Sequence, residues 1–386
     1  MNLTLPEPSR EMSARSEQLQ QIIVDEIHSS GGWIPFDHYM ERVLYTPGLG
    51  YYSTLSGLGA EGDFITAPEI SPLFSRVVAR QIMPLLAPLE RPIVMELGAG
   101  SGVMAAELLL ELERCQQLPE GYWILELSGG LRARQQQTLE ERIPHLLERV
   151  RWLEHLPDSP FQGVVVANEV VDAIPVERFI VRQGRTLPLG VSTNPDGALT
   201  WSESHEDAPS LVPEDIETTG LAEGYCSEWR PAATSWIAAL SDCLARGALL
   251  LVDYGYARSE YYRPERQQGT LSCFYRHHRH EDPLILPGLQ DITAHVDFTA
   301  LAEAADAVGL GVAGYTSQAY FLLAGGLTEL AEAEGGDELS HRIETSRAIQ
   351  QLTMPAQMGE VVKVMALTRD VALPETFTLH DQRHML

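Results

Sequence analysis

The sequence predicts an α/β fold with a mainly parallel, doubly wound sheet. Short apolar runs alternate with helical segments from about residue 75 to residue 367, which is typical of parallel strands covered by helices on both faces. One run, 93–96, leads directly into a glycine-rich turn and a long apolar helix. A strand that turns tightly into a helix is a common place for a nucleotide-like ligand, because backbone amides line the turn.

The residues before this alternation are predicted to be helical and then irregular. Residues 1 to about 15 predict a loose tail, and apolar residues at helical spacing predict a first helix over 16–30. A second helix opens near Asp37. Residues 46–72 hold too many Gly, Pro and Ser residues for a regular element, and their aromatic content favours a functional loop over a disordered one.

Apolar runs predict the strands of the sheet, and helical spacing predicts the helices between them. The predicted strands are 93–96, 122–126, 150–153, 163–168, 248–254, 312–315 and 361–367. The predicted helices lie near 74–82, 103–112, 130–139 and 298–308.

Two segments interrupt this alternation. Residues 180–230 contain an Asn-Pro-Asp-Gly turn between short β-like runs, which predicts a hairpin and an inserted β-rich lobe. Residues 258–296 are rich in His, Arg and Pro and predict a second long irregular stretch.

Composition and charge limit the classes of partner. The 386 residues are 44% hydrophobic and 21% charged, and no apolar run approaches the roughly 20 residues that a membrane helix needs. The formal net charge of -27 opposes nucleic-acid backbones and anionic membranes as main partners. It fits a cationic partner such as a basic peptide or an exposed arginine, although solubility alone explains it equally well.

Cysteine usage and the first residues predict a cytoplasmic location. The four cysteines are scattered without a C-x-x-C pair, so neither a zinc knuckle nor a disulfide framework is indicated. Reduced thiols are the default in a cytosol. The first residues lack a secretory apolar core, and they carry Glu7, Glu11 and Glu17, which are untypical of a mitochondrial transit peptide.

The glycine-rich turn has the form E-x-G-x-G-x-G at Glu96, Gly98, Gly100 and Gly102. In a dinucleotide-binding turn the third glycine comes one residue later. The observed spacing resembles the first motif of class I S-adenosylmethionine (SAM) methyltransferases, in which the glutamate holds the loop and the amino-acid end of the cofactor. The charge of Glu96 also suits a ligand with a sulfonium and an ammonium. On the motif alone, a tight strand–helix connection without a ligand stays an alternative.

Polar residues end two further predicted strands. Glu126 can accept hydrogen bonds from two ribose hydroxyls, although an exposed strand-end glutamate is the alternative. Asn168 and Glu169 end the strand that begins at residue 163, and Asp172 follows them, where a substrate should meet the cofactor. Their carboxylates can orient a cationic acceptor or take its proton, whereas a helix cap is the alternative for Asp172.

A histidine-rich tract predicts a polar loop, and no metal site is predicted. His277, His278 and His280 lack the i, i+4 spacing of a helical zinc pair, and the interleaved arginines repel a cation. His295 and Asp297 precede a predicted helix, from which side chains can reach a cleft, but a helix N-cap explains Asp297 better.

Nine short segments between about residue 45 and residue 367 carry a family resemblance. They are TPGLGYYS, GDFITAPEIS, MELGAGSG, ILELS, ANEVVDAIPV, EGYCSEW, LLVDYGY, DITAHVDF and MGEVVKVMAL, and the second and fifth are the most specific. Together they resemble the MidA-like family of class I SAM methyltransferases, which is related to a mitochondrial complex I assembly factor that methylates an arginine.

The resemblance implies SAM as the cofactor and a Rossmann-like seven-strand sheet whose last strand is antiparallel. It also implies a loop that covers the active site. The implied cofactor contacts are Glu96, Gly98, Gly100, Glu126 and Asn168. The implied covering loop contains Gly62, Asp63, Thr66, Pro68 and Glu69. The acids expected to orient the acceptor and receive its proton are Glu169, Asp172, Asp63 and Glu69.

Four parts of the chain follow from this arrangement. Residues 1–74 are expected to form a helical region with the covering loop, and 75–180 the SAM-binding half of the sheet. Residues 181–235 form the inserted lobe, and 236–386 the remaining strands with substrate-side loops. The resemblance is loose over 258–282, a segment that bears on substrate choice.

The sequence therefore predicts a methyltransferase that acts on a protein side chain, an arginine nitrogen. A small-molecule acceptor is one alternative, and a SAM-binding assembly chaperone with little turnover is another. A nucleotide-dependent oxidoreductase is disfavoured by the glycine spacing. No nucleic-acid or membrane partner is predicted, and the oligomeric state stays open.

Overall fold

Helices precede, separate and follow the strands of a central sheet. The computed structural model of the protein describes residues 5–54, 65–204, 212, 216, 221–334 and 339–386. No helix in these ranges combines the length and the apolar character that crossing a bilayer requires. The α-helices are α1 (Arg10–Ser29), α2 (Phe36–Tyr45), α3 (Tyr51–Thr54), α4 (Ala67–Ile70), α5 (Pro72–Leu86), α6 (Val103–Arg114), α7 (Gly129–Arg142), α8 (Ala232–Cys243), α9 (Arg258–Tyr261), α10 (Phe298–Ala307), α11 (Gln318–Ala324), α12 (Leu327–Glu334) and α13 (Leu339–Thr353).

The strands belong to three sheets. They are β1 (Ile93–Leu97), β2 (Gly121–Leu125), β3 (Val150–Leu153), β4 (Phe161–Asn168), β5 (Glu177–Arg182), β6 (Arg185–Thr193), β7 (Leu199–Glu203), β8 (Cys226–Trp229), β9 (Leu244–Tyr256), β10 (Ser272–Tyr275), β11 (His278–His280), β12 (Asp291–Thr293), β13 (Val296–Asp297), β14 (Gly311–Ser317) and β15 (Val362–Arg369). Short 3-10 helices lie at Pro144–Arg149, Glu375–Thr378 and Arg383–Met385.

The central sheet confirms the predicted fold class. Its seven main strands have the order β3-β2-β1-β4-β9-β15-β14, and β13 adds a short parallel partner to the end of β9. The first five strands in this order are parallel to one another. β15 is antiparallel to both β9 and β14, so the last strand of the chain is the reversed one.

Both faces of this sheet are buried, as unbroken apolar runs predict. All five residues of β1 are buried, with Val94 in the core of one face and Met95 in the core of the other. Helices α5 and α6 cover the first face, and α8 and α10 cover the second. Because both faces are covered, a ligand reaches the sheet at the edge where the parallel strands end.

A four-stranded antiparallel sheet forms the β-rich lobe between β4 and α8, in the order β7-β6-β5-β8. The predicted hairpin joins β6 and β7, where the Asn194 side chain accepts two backbone hydrogen bonds and Gly197 has a φ of +82°. The N-terminal helices pack on this lobe, and the backbone of Ile34 pairs with that of Val191.

Residues 258–296 are not irregular throughout, contrary to the prediction. They include a three-stranded antiparallel sheet in the order β11-β10-β12. Arg276 and His277 form its tight turn with φ values of +47° and +63°, so the histidine-rich tract is a hairpin rather than a loop. Only Cys273 and Tyr275 supply alternating buried residues there, too short a pattern to predict a strand.

The N-terminal tail was also predicted too long. Helix α1 begins at Arg10, because the Ser9 hydroxyl accepts a hydrogen bond of 3.2 Å from the backbone of Met12 and so caps the helix. A serine cap before a polar first turn gives little periodic signal, which is why apolar spacing alone placed the start later.

The stretch 46–72 contains regular structure in its described parts, because α3 and α4 each form one helical turn. Residues 55–64 of this stretch lie outside the described residues. The predicted covering-loop residues Gly62 and Asp63 are among them.

Gly163 tests the close approach of β4 to β1. A Cβ built on Gly163 would overlap the backbone carbonyl of Ile93, so we expect Gly163→Ala to lower the free energy of unfolding by about 3 kcal/mol. Chemical denaturation measures this change. Gly129→Ala is the matched control, because its Cβ would enter open space, and we expect it to change stability by less than about 1 kcal/mol. Equal stabilities of the two variants would contradict the strand packing.

Candidate active site

A cleft of about 1620 Å³ opens where β1, β2, β4 and β9 end. The chain passes from β1 outward to β2 and β3, then returns to the opposite side of β1 as β4. The cleft therefore lies at the point where the strand order reverses, which is the usual ligand site of an open parallel sheet.

The glycine-rich turn after β1 forms the floor of the cleft. Gly98 and Gly100 have backbone φ values of +61° and +52°, which residues other than glycine rarely adopt. A Cβ on Gly98 would also lie 3.3 Å from the side chain of Val170. The turn thus keeps its shape only with glycine, and it leaves bare backbone facing the cleft.

Two buried carboxyl groups flank this floor. Glu96 accepts a hydrogen bond of 2.6 Å from the hydroxyl of Tyr122, and burial raises its pKa to about 7. Glu126 accepts hydrogen bonds from the backbone of Ser128 at 2.9 Å and from the side chain of Gln135 at 3.0 Å, and burial raises its pKa. Cationic or hydrogen-bond-donating groups of a ligand would stabilise the ionised form of both carboxyl groups.

Gln135 ties the glycine turn to the second strand. Its side-chain amide donates to the carbonyl of Gly100 at 3.1 Å as well as to Glu126, and its oxygen accepts from the indole of Trp152 at 3.0 Å. This buried glutamine on α7 fixes the distance between the two parts of the floor.

The floor fits the cofactor that the sequence predicts. Bare backbone at the turn accepts a ligand at close range, and Glu126 offers acceptor oxygens for ribose hydroxyls. Glu96 offers negative charge for a ligand with a sulfonium and an ammonium. Within the described residues, no group of three or more His, Cys, Asp or Glu side chains is arranged to hold a metal ion.

The residue that follows β4 has a strained backbone. Glu169 has a φ of +52°, which is uncommon outside glycine and often occurs at functional sites. Its carboxyl group accepts hydrogen bonds of 3.2 Å from the backbone of Ala67 and from the side chain of Asn168. Glu169 therefore holds the start of α4 against the end of the sheet. Burial and the charge of Asp253 raise its pKa to about 8.

The loop after Glu169 is held by Asp253, which lies near the end of β9. One oxygen of this buried carboxyl group accepts backbone hydrogen bonds from Val170, Val171 and Asp172 at 3.2, 2.8 and 3.2 Å. Its other oxygen accepts from its neighbour Tyr254 at 2.8 Å. Burial raises the pKa of Asp253 to about 6.

Arg230 holds the same loop by its carbonyl groups. The guanidinium donates to Asp172 at 3.2 Å and to Ile174 at 3.1 Å. It also donates to the carbonyls of Ala294 at 2.8 Å and His295 at 3.2 Å, so it joins the loop to the residues just before β13. The loop has a defined shape because its N–H groups donate to Asp253 and its carbonyl groups accept from Arg230.

Carboxyl groups and tyrosines form one wall of the cleft. The hydroxyl of Tyr52 donates to Asp291 at 2.8 Å, and that of Tyr45 donates to the carbonyl of Ala173 at 2.8 Å. The two tyrosine rings stack with centroids 5.5 Å apart. Burial and the neighbouring carboxylates raise the pKa of Asp172 well above its usual range.

The structure brings most predicted site residues together. Glu69 reaches the glycine turn, where it accepts a short hydrogen bond from the hydroxyl of Ser101. Asp63 lies outside the described residues. The functional roles of these residues stay predictions. Those that line the cleft are Glu69, Glu96, Gly98, Gly100, Glu126, Asn168, Glu169 and Asp172.

His295 and Asp297 have different positions. His295 lines the cleft. Asp297 caps α10, accepting from the backbone of Thr299 and Ala300 at 3.0 and 3.2 Å, and it pairs with Arg258 at 3.1 Å. The N-cap interpretation of Asp297 is therefore confirmed.

Sequence reasoning missed Asp253, Arg230 and Asp291. Asp253 carries a usable signal, since it is an acid near the end of an apolar strand, as are Glu96 and Glu126. Arg230 acts on backbone carbonyls that are distant in sequence, so no local pattern marks it.

A sheet in which only β15 is reversed, with a glycine turn after β1 and carboxyl groups at the ends of adjacent strands, defines a class I methyltransferase site. Residues 75–316 match the family model described as "Putative S-adenosyl-L-methionine-dependent methyltransferase". The chain belongs to this family. The protein is thus a methyltransferase, an enzyme with SAM as its cofactor.

Similar proteins support this assignment and confirm the resemblance. The chain is 30% identical to the Protein arginine methyltransferase NDUFAF7 homolog, mitochondrial, of Drosophila melanogaster, over 94% of this chain and 88% of the relative. It is 31% identical to the Mus musculus Protein arginine methyltransferase NDUFAF7, mitochondrial, over 72% and 67%. A crystal structure from Burkholderia thailandensis, bound to S-adenosyl-homocysteine, is 43% identical with a TM-score of 0.94, over 99% of this chain and 100% of that chain.

Glu126 provides a test of the cofactor site. Loss of its charge weakens hydrogen bonds to hydroxyl donors, so we expect Glu126→Gln to raise the Kd of S-adenosyl-homocysteine at least about tenfold in calorimetry. Glu154→Gln is the control, because Glu154 is exposed and pairs with Arg132. If Glu126→Gln binds as tightly as the wild type, Glu126 is not a cofactor contact.

Proposed function

We propose that the protein transfers a methyl group to an arginine nitrogen of a protein acceptor. The observation that carries this proposal is the group of carboxyls from Glu169, Asp172 and Asp291, which line the cleft close enough to affect one another's ionisation. The relatives named as protein arginine methyltransferases support it as well.

A cation suits this group of carboxyls better than a neutral acceptor does. Burial and nearby negative charge raise the pKa of Glu169 to about 8 and the pKa of Asp172 well above its usual range. A guanidinium placed between them would lower both pKa values, so the carboxyls would ionise as it binds. Planar guanidinium donors also match carboxylate geometry.

The residues of this chain would orient the acceptor and take its proton. When bound, SAM supplies a methyl group attached to a positively charged sulfur. A guanidinium has a pKa above about 12, so its nitrogen needs a base beside it to release a proton as it becomes methylated. Glu169 and Asp172, ionised by the bound guanidinium, are the bases we assign, and Glu69 and Asp63 stay predicted to help position the acceptor.

Labelling of a cell extract tests the acceptor class. Cytoplasmic extract from a strain lacking the protein is used, since a cytoplasmic location stays the prediction, and it is incubated with the purified protein and tritiated SAM. Mass spectrometry of the labelled band should find methylarginine. Label in a small molecule would favour the first alternative, and no transfer despite SAM binding would favour an assembly chaperone.

The two acids should matter for turnover more than for cofactor binding. We expect Glu169→Gln and Asp172→Asn to lower kcat by about 10²- to 10⁴-fold, the usual contribution of a positioned base. The Kd of S-adenosyl-homocysteine should change less than about threefold. Glu303→Gln, at an exposed carboxylate that pairs with Arg258, is the control. A parallel loss of cofactor affinity would remove either acid from the catalytic role.

The raised pKa of Glu169 also predicts how stability depends on pH. The folded protein holds this proton up to about pH 8, whereas the ordinary carboxyl releases it near 4.5, so this group makes folding less favourable as pH rises between these values. Glu169→Gln cannot ionise. We therefore compare the unfolding free energy of this variant with that of the wild type. The difference, variant minus wild type, should increase by about 1 to 4 kcal/mol from pH 5 to pH 8. A gain that is constant over this range, measured by denaturation, would contradict the assignment.

A further inference from the structure

Two arginines contribute positive charge to the lining of the cleft. Arg266 and Arg279 line it, in a chain whose formal net charge is -27. The guanidinium of Arg266 lies 3.7 Å from the centre of the Tyr256 ring and donates to the carbonyl of Glu260. That of Arg279 donates to the hydroxyl of Ser272 at 3.0 Å. Over the described ranges of the chain, neither arginine forms an ion pair.

A row of aromatic side chains leads from the carboxyl groups of Glu169 and Asp172 to Arg266. Tyr254 lies close enough to Glu169 and Asp172 for their charges to raise its pKa, after the larger effect of burial. Its ring stacks on His295 with centroids 6.1 Å apart, and His295 lies 5.3 Å from the ring of Tyr256. Arg266 then covers Tyr256, so the path from Tyr254 to this guanidinium is at most about 15 Å, the span of four or five extended residues.

His295 lies in the middle of this row with its backbone fixed. Its backbone N–H donates to the hydroxyl of Thr270 at 3.0 Å, and its backbone carbonyl accepts from Arg230 at 3.2 Å. Its Nδ1 is buried without a hydrogen-bond partner among the described residues. Burial and the charges of Arg266 and Arg279, with that of Arg230, lower its pKa to about 4. The imidazole is therefore neutral, and the positive charge near it comes from the arginines.

We propose that Arg266 and Arg279 bind a carboxylate of the acceptor, supplied by an acidic residue within about five positions of the methylated arginine. This proposal rests on the proposed function. Guanidinium groups without an ion-pair partner form strong, charge-assisted hydrogen bonds with carboxylates. The aromatic row would support the peptide between the two charged residues, so the cleft would select a cation and an anion at a fixed separation.

Peptide binding tests this subsite without relying on turnover. The probes are fluorescent Gly-Ser peptides with one central Arg and one Glu placed one to five positions away on either side, together with the matching Gln peptides. They are titrated by anisotropy into protein saturated with S-adenosyl-homocysteine. At the best spacing we expect the Glu peptide to bind about tenfold more tightly than the Gln peptide, the effect of one charge-assisted hydrogen bond.

Two variants and one peptide separate the possible outcomes. The Glu preference should disappear in the double variant Arg266→Gln, Arg279→Gln and persist in Arg246→Gln, whose guanidinium contacts the carbonyls of Pro88 and Asp370 instead. Retained affinity for S-adenosyl-homocysteine shows that the double variant is folded. No Glu preference at any spacing, or one that survives in the double variant, overturns the proposal.

Replacement of the central Arg by citrulline reports on the proposed function separately. If citrulline peptides bind as well as Arg peptides while the Glu preference remains, the carboxylate subsite stands and the arginine acceptor falls. If Arg is required but Glu is not, the proposed function stands and the subsite falls.

Discussion

The site depends on one buried carboxylate that binds three consecutive backbone N–H groups. Asp253 lies on β9, beside β4, and its oxygen collects the amides of residues 170–172 as the chain leaves β4. Those amides have no strand partner at that point, so without this acceptor they would need another hydrogen-bond partner. The interaction holds the chain directly after Glu169, which has a left-handed conformation. Arg230 completes the arrangement from the carbonyl side.

This arrangement gathers buried carboxyl groups at a cost in stability. The pKa values of Glu169, Asp172 and Asp253 are all raised, chiefly by burial. A protein selected for stability alone would replace such groups, because buried carboxyls that are not fully compensated are costly. Their retention is understandable if a cationic group enters the cleft during function. Arg266 and Arg279 also line the cleft, so a substrate that carries both charges would find partners for each.

The parts of this account that are local in sequence could be predicted, and the rest could not. The glycine turn and the strand-end residues Glu96 and Glu126 follow from short motifs. The hairpin of β10 and β11 does not follow from a motif, because strands of four and three residues are too short to show a periodic pattern. Arg230 and Asp253 act on backbone atoms brought close only by the fold. The position of Asp253 near the end of an apolar strand marks it as a candidate, but it does not reveal these backbone partners, and Arg230 has no local signal at all. Asp291 lines the cleft and accepts a hydrogen bond from Tyr52, a contact distant in sequence that no local pattern predicts.

Hydrogen exchange of the amides at 170–172 tests the central interaction most directly. In the wild type these amides should exchange slowly, because each donates to Asp253. In Asp253→Leu, which keeps a side chain of similar size but has no acceptor, they should exchange much faster while the amides within β4 stay protected. Unchanged protection of residues 170–172 in the folded variant would contradict the account, because the loop would then owe its shape to something other than this carboxylate.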